Sequence, residues 1–202
     1  MTVTRSRTIA AGALACVLGG VTPLHSQPRT LVVHDFTATT HGWFVSGDTG
    51  AAEPHRHATG GDPGGYISHA DEALGETWYF SAPPSVLNAL SAAEQGTLTY
   101  SLKQSEPVVG IFEDDIVIVG PAGRLSYRFP YSPGTGWTSF TVTFAATAGW
   151  RWNWNRPASQ EQIRSVLANP TSLEIRGEYH TGPDEGALDT VVLTAGRSRD
   201  IP

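Results

Sequence analysis

The chain has 202 residues, 40% hydrophobic and 16% charged, enough apolar material for one packed domain and too little charge for a disordered chain. Its formal net charge of −6 argues against nucleic acid or an anionic membrane as partner, and leaves cations or neutral ligands such as sugars. Gly 22 and Pro 14 point to many turns, as in an all-β fold.

The first 26 residues read as a signal peptide. Arg5 and Arg7 open it, and residues 9–21 are an apolar run too short to span a bilayer. The expected cleavage lies near Ser26, although Leu24-His25-Ser26 fits the small-x-small rule poorly. Its removal leaves 11 basic against 19 acidic residues, a net charge of −8. Cys16 is the only cysteine and lies inside this leader. Apolar residues continue after it, so a lipid anchor is not expected, and the mature chain can form no disulfide within itself. The chain is therefore expected to be secreted or periplasmic, with residues 27–202 forming one domain.

Short apolar stretches then alternate with turn residues. Residues 31–36 (LVVHDF) predict a first strand, and Trp43 and Val45 alternate in a second. His55-Arg56-His57 is placed on a solvated loop, where its spacing alone gives little reason to expect zinc. Asp62-Pro63-Gly64-Gly65 is a turn. Residues 66–70 and 77–82 read as strands, the latter stopped by Pro83-Pro84. In 96–104 (GTLTYSLKQ), Leu98, Tyr100 and Leu102 fall on one face. Residues 115–120 (DIVIVG), 125–129, 137–144 (WTSFTVTF), 173–179 and 188–194 complete the set. One helix interrupts it. Ser159 and Gln162 have capping-box spacing, Ile163, Val166 and Leu167 form one stripe, and Pro170 ends it. The expected fold class is all-β, an antiparallel β-sandwich of jelly-roll type with one short helix.

The segments 173–179 (LEIRGEY) and 188–193 (LDTVVL) are similar to the L-x-I-R-G-E-Y and L-D-N-V-x-L strands of the laminin domain IV (laminin B) family, in its stand-alone bacterial form. The runs 77–83, 96–100 and 115–120 and the capped helix keep the family's order, so the resemblance runs from about Val33 to Leu193, nearly the whole mature chain. Thr190 stands where the family pattern has Asn, and 91–96 replaces its aromatic-Gly-Gly turn. The resemblance implies an extracellular, non-catalytic binding or adhesion module related to galactose-binding-like jelly rolls. Many of those are carbohydrate-binding modules, and many hold a structural calcium between the first strand, an early loop and the last strand. On that expectation Asp35, Asp62, Glu178 and Asp189 converge as calcium ligands, since calcium takes about six to eight oxygens. Against it, Asp35 and Asp189 could instead bond backbone amides, and Glu178 could pair with Arg176 or Arg151.

A second candidate site is aromatic. Trp150, Trp152 and Trp154 recur at a spacing of two, which in extended backbone puts them on one side and Asn153 on the other. Indole faces with an amide donor suit a saccharide, while Trp150 and Trp152 also suit the core. The partner is expected to be an extracellular glycan or protein. Catalysis finds no G-x-S-x-G, P-loop or H-E-x-x-H motif. Glu113-Asp114-Asp115 is read as a solvent-facing charge cluster rather than a hydrolase pair, which leaves a polysaccharide hydrolase as the weakest alternative.

Overall fold

A computed structural model describes residues 28–47, 51–71, 77–108, 113–154 and 156–196. The expected leader, with Cys16, lies outside the described residues. The body is two antiparallel sheets. The first runs β3 (His55–Gly61), β4 (Gly64–Asp71), β13 (Asp184–Thr194), β6 (Thr97–Gln104) and β9 (Thr138–Thr143), with β1 (Thr30–His34) also on β13. The second runs β11 (Arg156–Pro157), β10 (Arg151–Trp152), β8 (Gly123–Tyr127), β7 (Ile116–Gly120), β12 (Ser172–Arg176), β5 (Tyr79–Ser81) and β2 (Phe44–Ser46).

Period-two alternation builds the core between them. Leu98, Tyr100 and Leu102 of β6, Phe140 of β9 and Leu188 of β13 are fully buried, as are Ile116, Ile118, Leu173, Ile175 and Phe80 of the second sheet. Helix α2 (Gln160–Ala168) buries Ile163, Val166 and Leu167. Its capping box is formed: Gln162 N donates to Ser159 Oγ at 3.2 Å, and Ser159 N donates to Gln162 Oε1 at 2.8 Å. A second helix, α1 (Pro84–Ala89), was not expected. Proline stops the preceding strand, but it also suits a first helical turn, whose N–H groups lack intrahelical partners.

β3 is the clearest departure from expectation. His55-Arg56-His57 lies on an edge strand, with His57 opposite Tyr66 of β4. A polar edge strand carries little apolar periodicity, so its pattern is silent. Another departure is Asp115, expected among solvent-facing carboxylates. It is 3% exposed and holds a buried network. Phe129 N donates to its Oδ2 at 2.7 Å, Tyr179 OH donates to its Oδ1 at 2.9 Å, and Arg176 Nη1 lies 3.6 Å away.

β13 changes partner midway. Residues 184–188 pair with β4, whereas Val191–Thr194 pair with β1, with a break in register near Asp189 and a positive φ at Thr190. At the other end of β13, Asp184 stands opposite Asp71, and both side chains are buried. Burial, and then Asp71, push Asp184 up to about 6, with Glu106 adding and His180 opposing. A carboxyl raised in the folded state contributes stability below its unfolded pKa and loses it as pH rises through the folded one. Asp184→Asn is therefore expected to raise the melting temperature by several degrees at pH 8 and to change it little at pH 3.5. Thermal melts at the two pH values check this; equal effects at both would refute it.

Candidate functional site

The outer face of the first sheet carries the side chains that alternate away from the core. On β6 these are Thr97, Thr99, Ser101 and Lys103, and on β9 Ser139, Thr141 and Thr143. Their hydroxyls meet across the strands. Thr99 and Thr141 lie 3.1 Å apart, Ser101 and Ser139 3.3 Å, and Thr97 reaches Thr194 of β13 at 2.9 Å. The face is thus a ladder of small donors and acceptors.

One end of this ladder is aromatic. His57 stacks on Tyr66 at 4.2 Å with planes 10° apart, and His55 meets His57 edge-on at 4.4 Å. Trp137 lies edge-on to Tyr66 at 5.4 Å and donates its Nε1–H to Gly60 O at 3.0 Å. Lys103 Nζ sits 4.2 Å from the Tyr66 ring centre and 4.7 Å from that of Trp137. Beside them is a pocket of about 240 Å³ lined by Tyr66, Lys103, Ser105, Thr135, Glu185 and Ala187. Glu185 Oε1 is 4.0 Å from His57 Nε2, which also bonds Ser68 Oγ at 2.8 Å. Burial lowers the His57 pKa, His55 lowers it further, and Glu185 opposes both. These surroundings favour the uncharged ring, which presents a stacked aromatic surface. Sequence reasoning did not assemble this group, because its members come from four strands and a loop. The traceable signals were the outward positions of β4 and β6.

The tip of the β3–β4 hairpin folds onto the same face. Asp62 N donates to Asp189 Oδ2, Ser101 Oγ donates to Asp62 Oδ2 at 3.0 Å, and Thr190 Oγ1 donates to Asp62 O at 2.7 Å. Asp62 and Asp189 are therefore brought together, as expected. The other two acids are not gathered with them. Asp35, 60% exposed, accepts Thr37 N at 3.1 Å and faces His41 at 3.9 Å. Buried Glu178 accepts Trp78 N at 3.3 Å, and its own carbonyl accepts Arg176 Nε at 2.6 Å. Among the described residues no three His, Cys, Asp or Glu side chains form a metal-binding group. Asp189 is fully buried and both its oxygens take amide protons, Oδ1 from Thr190 N at 2.6 Å. Burial pushes its pKa up, and the amides of Asp62 and Thr190 oppose this. The expected four-residue cage does not fit this arrangement.

The tryptophan series is also divided. Trp150 is 1% exposed, stacks on Phe144 and donates to Thr143 O, so it belongs to the core and cannot touch a ligand. Trp152 is half-buried and packs against the core. Asn153 and Trp154 have positive φ, so the regular alternation ends in a turn. Asn153 Oδ1 accepts Arg124 N at 3.0 Å. Trp154 is 68% exposed and stacks over the Arg124 guanidinium at 4.2 Å, while Arg124 Nη2 donates to Asp114 at 2.9 Å. Of the four, only Trp154 presents a large open ring.

A family model described as Laminin B (Domain IV) matches residues 79–201. Among solved structures, the L4b domain of human laminin alpha-2 superposes with a TM-score of 0.62 at 9% identity, covering 83% of this chain and 98% of that one. A family 11 carbohydrate-binding module of a cellulosomal cellulase from Clostridium thermocellum gives 0.53 at 12%, covering 87% and 99%. No curated protein matches the chain.

Proposed function

We propose that this chain, which belongs to the laminin B (domain IV) family, is a secreted, non-catalytic module that binds an extracellular glycan on the outer face of its first sheet. The observation that carries the reading is the Tyr66, His57 and Trp137 cluster, set beside a pocket at the end of a hydroxyl ladder. Aromatic rings accept the CH faces of sugars, and fixed hydroxyls and carboxylates answer sugar OH groups. The clostridial neighbour is itself a carbohydrate-binding module, which supports a glycan over a protein ligand. Most glycoside hydrolases use two carboxylates flanking the scissile bond. In the Glu113-Asp114-Asp115 run Asp114 is paired with Arg124 and Asp115 is tied into the buried network, which leaves only Glu113 exposed. Among the described residues no helix is long and apolar enough to cross a membrane.

Trp137→Ala is expected to weaken glycan binding at least about tenfold, equal to about 1.4 kcal/mol, while shifting the melting temperature by only a few degrees. A glycan array followed by calorimetry reads the first, and a thermal melt the second. Trp154→Ala is the control and leaves binding intact. If Trp154→Ala abolishes binding while Trp137→Ala does not, the ligand lies on the Arg124-backed turn instead.

Structural calcium is a separate question. Melting with chelator and with added calcium decides it, because a cation bound only by the native state must stabilise that state. Amide bonds alone around Asp189 give no shift. A rise with calcium that Asp189→Asn removes would put the cation at Asp62 and Asp189, with carbonyls completing the shell.

A further inference from the structure

Lys103 is the only lysine in the sequence. Its ammonium rests over two aromatic rings, Tyr66 at 4.2 Å and Trp137 at 4.7 Å. Among the described residues no carboxylate oxygen lies within ion-pair distance of it, although the chain is acidic and Glu185 lines the same pocket. Among the described residues Arg124 and Arg128 pair with Asp114, Arg164 with Glu94 and Glu161, and Arg176 with Asp115, while Arg29, Arg56, Arg151 and Arg156 have no ion pair, so a missing acid is not peculiar to Lys103. The lysine is instead positioned by ring quadrupoles, which attract a cation without consuming its three N–H donors. It therefore faces the pocket with its charge in place and its hydrogen-bonding capacity unspent.

We propose that this pocket takes an acidic sugar, with the anionic group of the glycan on Lys103 Nζ and a sugar hydroxyl on Glu185. This deepens the glycan reading above and rests on it. A charged acceptor on a charged donor makes the stronger class of hydrogen bond, so a carboxylate or sulfate ester discriminates itself from a neutral hydroxymethyl at this position. Ser105 and Thr135 supply neutral partners on the pocket wall. The glutamate fits the same ligand, because it accepts from hydroxyls and leaves the anionic group only the lysine. The overall negative charge does not steer a polyanion toward the molecule. Charges farther than about 8–10 Å are largely screened at physiological salt, so recognition is local.

The test titrates the full chain with polygalacturonate, a sulfated galactan and a neutral mixed-linkage β-glucan, using wild type, Lys103→Gln, Lys103→Arg and Trp137→Ala. The expected result is binding of an anionic polymer that Lys103→Gln weakens at least about tenfold and Lys103→Arg partly restores. A response to polygalacturonate identifies a carboxylate, and a response to the galactan alone a sulfate. Reductive ¹³C-methylation gives a second readout that needs no variant. The sole lysine contributes one side-chain dimethylamine signal, which moves on adding the anionic polymer. Equal binding of the neutral glucan by wild type and Lys103→Gln, still lost in Trp137→Ala, overturns the acidic-sugar inference and leaves the glycan reading intact. No binding of any polymer by wild type overturns both.

Discussion

Arg176→Met is expected to cost about 3–5 kcal/mol of folding free energy, because it strands the buried Asp115 carboxylate. Both residues are under 4% exposed, and the guanidinium also donates to Glu113 O at 3.1 Å and lies 3.9 Å from the Tyr179 ring centre. Burial already raises Asp115, and the Phe129 amide, Tyr179 and Arg176 oppose that rise in this order. Removing the arginine lets the folded-state pKa climb further above its unfolded value. A carboxyl raised in this way loses native stability as pH rises through the folded pKa. The penalty is therefore larger at pH 8 than at pH 4.5, and Asp115→Asn added to Arg176→Met recovers part of it. Urea denaturation at both pH values checks the result. A loss below about 1 kcal/mol, or one that ignores pH, would show that the pair is not an ionic unit.

Gly177→Ala is the second large effect. A Cβ at that position would stand 2.0 Å from Trp78 Cζ3 and 2.2 Å from Cη2. Trp78 is fully buried between Gly177 and Gly186, so it has nowhere to retreat. Overpacking of this kind costs about 3 kcal/mol or more. Trp78→Ala alone costs about 3–5 kcal/mol through lost burial and a cavity. The two changes are coupled. With the indole gone the new methyl has space, so the double variant is no less stable than Trp78→Ala. Additive losses in the denaturation cycle would contradict the wedge.

These two predictions explain what the LEIRGEY segment does. Arg176 and Tyr179 secure Asp115, Gly177 admits Trp78, and the Glu178 carboxylate accepts Trp78 N. The most family-specific residues are therefore core fittings, and they say little about what is bound. The sandwich itself was legible because its strands show a period of two with apolar inner positions, and α2 because its cap and stripe agree. β3 was not legible, since HRHATGG carries no apolar face. The tryptophan series misled in a physical way. Regular spacing places rings on one side only while the strand lasts, and here it ends after Trp152. The aromatic cluster on the first sheet stayed hidden because His57, Tyr66, Lys103 and Trp137 become neighbours only through the β3–β4 and β6–β9 pairings and through β13, which joins β4 to β6.

The placement of β13 also makes one strand the seam of the first sheet. The segment nearest the chain's end runs through the middle of the first sheet, touching β4, β6 and β1, and Thr194 closes against Thr30. Pairings this distant in sequence pay their loop-closure entropy before any reward, which makes closure of this layer slower than that of its local pairs. Without Asp184–Thr194 the β3–β4 and β6–β9 pairs have no strand between them to join them into one layer.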